Sequence, residues 1–191
     1  MTNTQTGGTS RTHLLRIVLI AMMTALTAVC SWISIPMVVP FTLQTFAVFA
    51  AIELLGGRDA CASILCYIAL GAVGVPVFAK FGAGLGVLLG PTGGYIIGFL
   101  FTALICWLFE SLWGRKLPVR IAGLVLGLLV CYAFGTIWFM IVCSNAGKPY
   151  TLGAALMLCV VPFLFWDGIK MALAILVGGR LRAALPFLEK N

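Results

Sequence analysis

"LGAALMLCVVPFLFWDGIKMALAILV", residues 152–177, carries one acid and one base, Asp167 and Lys170, in a run that is otherwise almost wholly apolar. An apolar helix of roughly 20 residues crosses about 30 Å of hydrocarbon, so this stretch predicts a membrane-spanning helix with opposite charges inside it. Charge near the bilayer centre costs roughly 2.5 to 3.5 kcal/mol on insertion scales, and such groups face a cavity or each other. Asp167 and Lys170 stand three apart, on one helix face, and are able to pair. The pair is either a neutralised contact inside a bundle or part of a polar site. Pro162 removes the backbone hydrogen bond to the Leu158 carbonyl, which predicts a bend or an opening in this helix.

The remainder of the chain has the same character. Of its 191 residues, 62% are hydrophobic and 9% charged, and the mean hydropathy is +1.16. That composition predicts an all-α integral membrane protein. Six transmembrane helices are expected, at roughly 14–35, 42–57, 60–76, 91–112, 119–143 and 152–177, the second and third being short. Prolines 36, 40, 76, 91, 118 and 149 and the "GGRD" at 56–59 punctuate the joints. The expected organisation is a polar cytoplasmic tail at 1–13, a six-helix membrane domain at 14–179 with an outer loop at 77–90, and a cytoplasmic tail at 180–191. This leaves no room for a soluble catalytic domain. The apolar run from Leu14 to Ile35 is too long for a signal-peptide core and should stay in the mature protein.

The net charge of +7 does not indicate nucleic acid, because the basic residues are scattered singly between apolar blocks. They act as topology signals. Arg11, Arg16, Arg58, Arg115, Lys116, Arg120, Arg180, Arg182 and Lys190 gather on one side of the predicted bundle, and only Lys80 and Lys148 fall on the other. Short basic loops stay cytoplasmic, which places both termini inside. The seven cysteines form no C-x-x-C pair and act as small hydrophobes. There is no H-E-x-x-H, G-x-S-x-G or Walker A string, so the chain does not hydrolyse ATP through a P-loop. Glu53 and Glu110, near basic residues, suggest interfacial ion pairs.

Further polar groups converge on the outer half of the predicted bundle. Thr42, Gln44 and Thr45 open the second span, and Gly93, Gly94 and Tyr95 open the fourth. The preceding segment, "AKFGAGLGVLLGPTGGY" (79–95), lacks the strand and acidic partner of a dinucleotide site. It reads as a flexible outer lid or as a packed re-entrant connection. With Phe41, Phe78, Phe81 and Trp166 around them, these groups suit a small amphipathic ligand with polar ends and an apolar body. In the first span Ala21, Ala25 and Ala28 share a face, and small residues four apart permit close helix approach, to a partner or within the bundle.

Four stretches, "VPFTLQTFAVF" (39–49), "GAVGVPVFA" (71–79), "GLGVLLGPTGGYIIGF" (84–99) and the D-G-I-K of the last helix, closely resemble the BioY family. Its members are the biotin-specific S components of energy-coupling-factor (ECF) transporters, and the similarity runs from the first span to the last. The resemblance implies an S-component bundle in the cell membrane that binds biotin from outside. It also implies a transmembrane coupling (T) subunit and two ABC-type ATPases as partners, the latter using the ATP. It implies biotin recognition by Asp167 and Lys170, and contact of Ala21 and Ala25 with the coupling subunit. The candidate ligand-binding set is Asp167, Lys170, Gln44, Tyr95, Thr42, Trp166, Phe81, Gly84 and Gly93; no catalytic residue, metal ligand or cofactor is expected. Biotin's ureido ring offers two N–H donors and one carbonyl, and its tail a carboxylate. Asp167 suits the donors, while Lys170 answers the carbonyl or the tail. Lys80 departs from the family pattern, as a charge in a loop expected to be more neutral. Two other classes are a stand-alone proton-coupled secondary transporter of a small vitamin, for which the inverted repeats are missing, and an intramembrane enzyme, for which neither a nucleophile–base pair nor a metal cluster is in sight.

Overall fold

In a bilayer every backbone polar group needs an internal partner, and a chain this apolar meets that demand by folding almost entirely into helices. The computed structural model describes residues 7–184. Helix α1 runs Gly7–Trp32, followed by a two-residue hairpin, β1 (Ser34–Ile35) and β2 (Phe41–Thr42). Then come α2 (Gln44–Leu55), α3 (Gly57–Ala72), a 3-10 turn (Ala79–Phe81), α4 (Leu85–Leu88), α5 (Gly93–Trp113), α6 (Leu117–Asn145), α7 (Leu152–Cys159) and α8 (Val161–Ala184). Four stretches, His13–Trp32, Gly93–Trp113, Leu117–Asn145 and Leu152–Arg182, are long and apolar enough to cross a membrane. The second and third expected spans are shorter, 12 residues in α2 and 16 in α3. Residues 1–6 of the expected N-terminal tail and 185–191 of the C-terminal one, with Lys190, lie outside the described residues. Residues 7–13, expected in that tail, are already helical, because α1 begins two turns before the apolar run opens.

Exposed Leu, Ile, Val and Trp side chains cover α1, α5, α6 and α8. Such a surface would be an aggregation hazard in water and is the lipid-facing surface here. Inside, α5 and α6 pack closest. A Cβ on Gly98 would come within 2.7 Å of Cys131 Sγ, and one on Gly127 within 2.8 Å of Thr102, so glycines set this approach. The Thr102 hydroxyl donates to the Gly127 carbonyl across the seam (3.0 Å). Of the seven cysteines, all free, five are buried as small core groups.

Helices α2 and α3 are joined through Gly56 alone, whose φ of 88° only glycine adopts readily. Around this joint the charged residues cluster: Arg16 pairs with Asp59, Arg120 with Glu53, and Arg115 with Glu110 at 3.0 Å. Arg115 also donates to the carbonyls of Ile52 and Glu53 (both 3.0 Å), and Arg182 to those of Glu53 and Leu54. The open C-terminus of α2 is thereby capped by two guanidinium groups from elsewhere in the chain. Burial pulls the Arg115 guanidinium below its ordinary pKa, with Glu110 opposing the shift. Glu110 makes the pair expected of it with Arg115, whereas Glu53 is buried rather than interfacial and pairs with Arg120 instead of its sequence neighbour Arg58, because α6 packs its first turn against the end of α2.

At the opposite end lie the hairpin, the 3-10 turn and α4. The segment considered as a lid is an ordered wall: Phe78 bridges to Gly82, and Gly84 N–H donates to the Gly71 carbonyl at 2.7 Å. Val77 and Phe78 are buried, while Lys80 sits exposed in a left-handed conformation (φ 57°). The last span breaks at Val160, between α7 and α8. Pro162 has no N–H to continue the ladder, and α8 restarts there, in agreement with the predicted interruption.

Candidate functional site

The break at Val160 and the start of α2 both open toward one cavity of about 120 Å³, bounded by α2, α5, α6, α7, α8, the hairpin and the 78–92 segment. Val39, Phe78, Ile96, Phe99, Leu128 and Phe163 form most of its apolar wall. Its polar groups come from several elements, with Thr42 contributed by β2 and Thr92 by the turn before α5. Helix α8 supplies Asp167 and Lys170, α2 supplies Gln44 and Thr45, α6 supplies Tyr132, and α5 supplies Tyr95.

The charged pair is the centre of this arrangement. Asp167 is 2% exposed and Lys170 6%, and Lys170 Nζ lies 2.9 Å from Asp167 Oδ1. Thr45 Oγ1 donates to the same Oδ1 (2.9 Å), and the Tyr132 hydroxyl donates to Oδ2 (2.6 Å). Lys170 also donates to the Thr42 carbonyl (2.7 Å) and to Thr45 Oγ1 (2.9 Å), and its ammonium stands 4.1 Å from the centre of the Phe41 ring. A buried ion pair keeps its charge only when its remaining hydrogen-bonding capacity is met in this way. Cation–π attraction to Phe41 adds to it.

Of the nine expected ligand residues, Thr42, Gln44, Tyr95, Asp167 and Lys170 line the cavity together. Gln44 is 5% exposed and its Nε2 has no hydrogen-bond partner among the described residues. The Tyr95 ring forms wall rather than polar contact, since its hydroxyl is bonded to Thr136 Oγ1 (3.0 Å). A Cβ at Gly135 would lie 2.3 Å from that ring, so the glycine makes room for it.

The other four stand outside. Trp166 follows Phe165 toward lipid, 52% exposed, because one residue along a helix turns about 100° away from Asp167. Its ring meets the edge of Phe41. Phe81 is 64% exposed and rests on Trp32, 5.0 Å between ring centres, since the left-handed turn at Lys80 and Phe81 directs it outward. Gly84 takes a φ of 84° at the start of α4, and Gly93 lets α5 begin against the Leu88 carbonyl, which a Cβ would meet at 1.7 Å. Both glycines shape the wall without lining the cavity.

Tyr132, like Thr92, lines the cavity without having been expected from the sequence. An isolated tyrosine in "LVCYAFG" has no helical spacing to Asp167, because the two meet only through the packing of α6 against the last span. Ala21 and Ala25 lie remote from the cavity, exposed along an apolar groove between α1 and α3 that also includes Ala28, Ala69 and Leu70.

Comparison with known proteins identifies the fold and the family. A biotin transporter BioY of Thermotoga maritima is 39% identical over 160 residues, covering 83% of this chain and 90% of the relative. Biotin transporter BioY2 of Lactococcus lactis is 36% identical over 184 residues, 94% of this chain and 96% of that one. The crystal structure of the S-component for biotin from an ECF-type ABC transporter superposes with a TM-score of 0.77 at 29% identity, covering 96% of this chain and 95% of the other. The BioY family matches residues 2–187, and the chain belongs to it.

Proposed function

We infer that the protein is the biotin-binding subunit of an ECF-type ABC importer, a multi-pass membrane protein and not an enzyme. The observation that carries this is the Asp167–Lys170 pair, held by Thr45 and Tyr132 in a mostly apolar cavity of a BioY-family bundle. Biotin fits that chemistry: its sulfur ring and alkyl tail match the Phe and Ile walls, and a ureido N–H is the donor a carboxylate with free acceptor capacity takes.

The import cycle then follows from what the chain holds. The cavity lies at the end away from the arginine cluster, and basic ends stay cytoplasmic, so biotin enters from outside. Maleimide labelling in intact cells checks this orientation in a cysteine-free background. A cysteine replacing Lys148 should react with an impermeant reagent and one replacing Lys116 should not; the reverse pattern sinks it. Delivery across the membrane requires partners: a T subunit docking on the Ala21–Ala25 groove, and two ABC ATPases that hydrolyse the ATP. The chain itself needs no cofactor for binding.

Isothermal titration of the purified chain with biotin, and with thiamine and riboflavin as controls, tests the reading. Saturable one-to-one binding of biotin alone is expected. Equal heat from all three vitamins, or none from biotin, would reject it.

A further inference from the structure

At the basic end, opposite the cavity that holds Asp167, a second cavity of about 490 Å³ opens between α1, α3 and α5 at the α2–α3 joint. Its charged lining is Arg16, Arg58 and Arg115 against Asp59 and Glu110, three cations to two acids. Both acids are already matched. Asp59 accepts from Nε and Nη2 of Arg16, while Glu110 faces Arg115 Nε and accepts the Gly57 N–H at 2.8 Å. The cations are not exhausted. A guanidinium has five N–H donors, and Arg16 keeps those of Nη1 beyond its bonds to Asp59. Arg115 likewise keeps Nη1, since its Nη2 serves the Ile52 and Glu53 carbonyls. Arg58 is exposed and pairs with no acid among the described residues. The cavity therefore carries one uncompensated positive charge and spare donors on three guanidinium groups.

A monoanion rich in acceptors answers that set, and the guanidinium fork is matched to phosphate oxygens. Position narrows the source. Trp107, also in the lining, is exposed, and Leu104 and Leu108 beside it continue the exposed apolar face of α5. Trp side chains sit at the level of the lipid headgroups, and basic pockets between spans on the cytoplasmic side hold anionic ones. We propose that this cavity binds the phosphate of an anionic phospholipid of the inner leaflet, with the acyl chains lying along Trp107, Leu104 and Leu108. Arg58 supplies the charge that selects a net-negative headgroup, and Arg16 and Arg115 supply further donors. The site is independent of what the cavity at Asp167 binds. Its lining comes from both sides of the α2–α3 joint, so an occupant present only in the folded state stabilises that joint.

The thermal midpoint of the intact purified chain in a neutral detergent reads occupancy, because a ligand that binds only the folded state raises it. Added palmitoyl-oleoyl phosphatidylglycerol should raise the midpoint saturably, by roughly 5 °C at about a hundredfold excess over its dissociation constant. Phosphatidylcholine with the same chains, which has the phosphate but no net charge, should raise it much less. Arg58→Gln should lose most of the phosphatidylglycerol increment. Because Arg58 is exposed and holds no acid, the lipid-free midpoint and the biotin affinity of this variant should match the wild type. Lys116→Gln removes one charge from the same end but outside the cavity, and should keep the increment. The proposal is overturned by no shift with phosphatidylglycerol, by an equal shift with phosphatidylcholine, or by a shift that survives Arg58→Gln. An equal loss in both variants also overturns it, since the attraction would then belong to the basic end as a whole. The same shift from inorganic phosphate would make this a site for a free anion and overturn the lipid assignment.

Discussion

Glu53 and Asp167 are the most deeply buried acids among the described residues, 1% and 2% exposed, and each is paired with a cation, yet their surroundings differ in kind. Glu53 pairs with Arg120 at the basic end, where Arg115 and Arg182 cap the neighbouring carbonyls of α2. Helix α8 closes over it, for a Cβ on Gly178 would approach Glu53 Cβ to 2.7 Å. Asp167 is held by a lysine and two hydroxyl groups and borders an open cavity with an unpartnered amide beside it. Burial and pairing are therefore common to the closed cluster and to the candidate site. What separates them is acceptor or donor capacity left over, together with space to reach it. Helix α2 joins the two, with Gln44 and Thr45 at its first turn and Glu53 near its last.

The largest expected effect comes from unpairing Asp167. Asp167→Asn leaves the Lys170 charge buried without its counter-ion and turns one acceptor into a donor, so biotin affinity should fall by about 100-fold or more, near 3 kcal/mol. Unchanged affinity in a folded variant would make the pair a plain bundle contact and erase the contrast with Glu53.

The mirror experiment is Glu53→Gln. Removing the charge from the closed cluster should destabilise the fold by about 3 kcal/mol, read as a lower thermal midpoint in detergent. Biotin affinity measured well below that midpoint should stay as in the wild type. Lost affinity in the folded state would break the comparison, because it would make the basic end part of the site.

A smaller effect sharpens the picture of the cavity. Tyr132→Phe removes one donor from Asp167 Oδ2 while preserving the ring. Affinity should drop by about 1 kcal/mol, roughly fivefold, with the midpoint little changed. A gain in affinity would mean that Tyr132 occupies the acceptor position the ligand needs.

The smallest effect on binding belongs to the α1 groove. Changing Ala21 and Ala25 to Leu adds bulk on an exposed face far from the cavity, so biotin binding by the isolated chain should be unaltered. Co-purification with the coupling subunit and ATP-dependent uptake should be lost. Binding lost together with docking would mean that this face supports the bundle itself.

The class of protein and much of its local order are written in the amino-acid sequence. Its hydropathy demanded helices, its prolines and glycines marked their ends, and the three-residue spacing of Asp167 and Lys170 placed both on one face of α8. The motifs at 39–49 and 84–99 carried the family, and the residues opening α2 and α5 were already candidates for the site. Which faces look inward depends on how the helices pack. That packing turned Trp166 and Phe81 out to the surface, made Gly84 and Gly93 framework, and brought Tyr132 across from α6 to Asp167. The physical reason is one of range. Helical periodicity fixes how neighbours along one helix are arranged, whereas contacts between residues 35 apart, as in the Tyr132–Asp167 bond, depend on how closely whole helices pack. That approach is governed by side-chain shape at seams such as Gly98–Cys131 and Gly127–Thr102, which a linear pattern of polar and apolar residues does not encode.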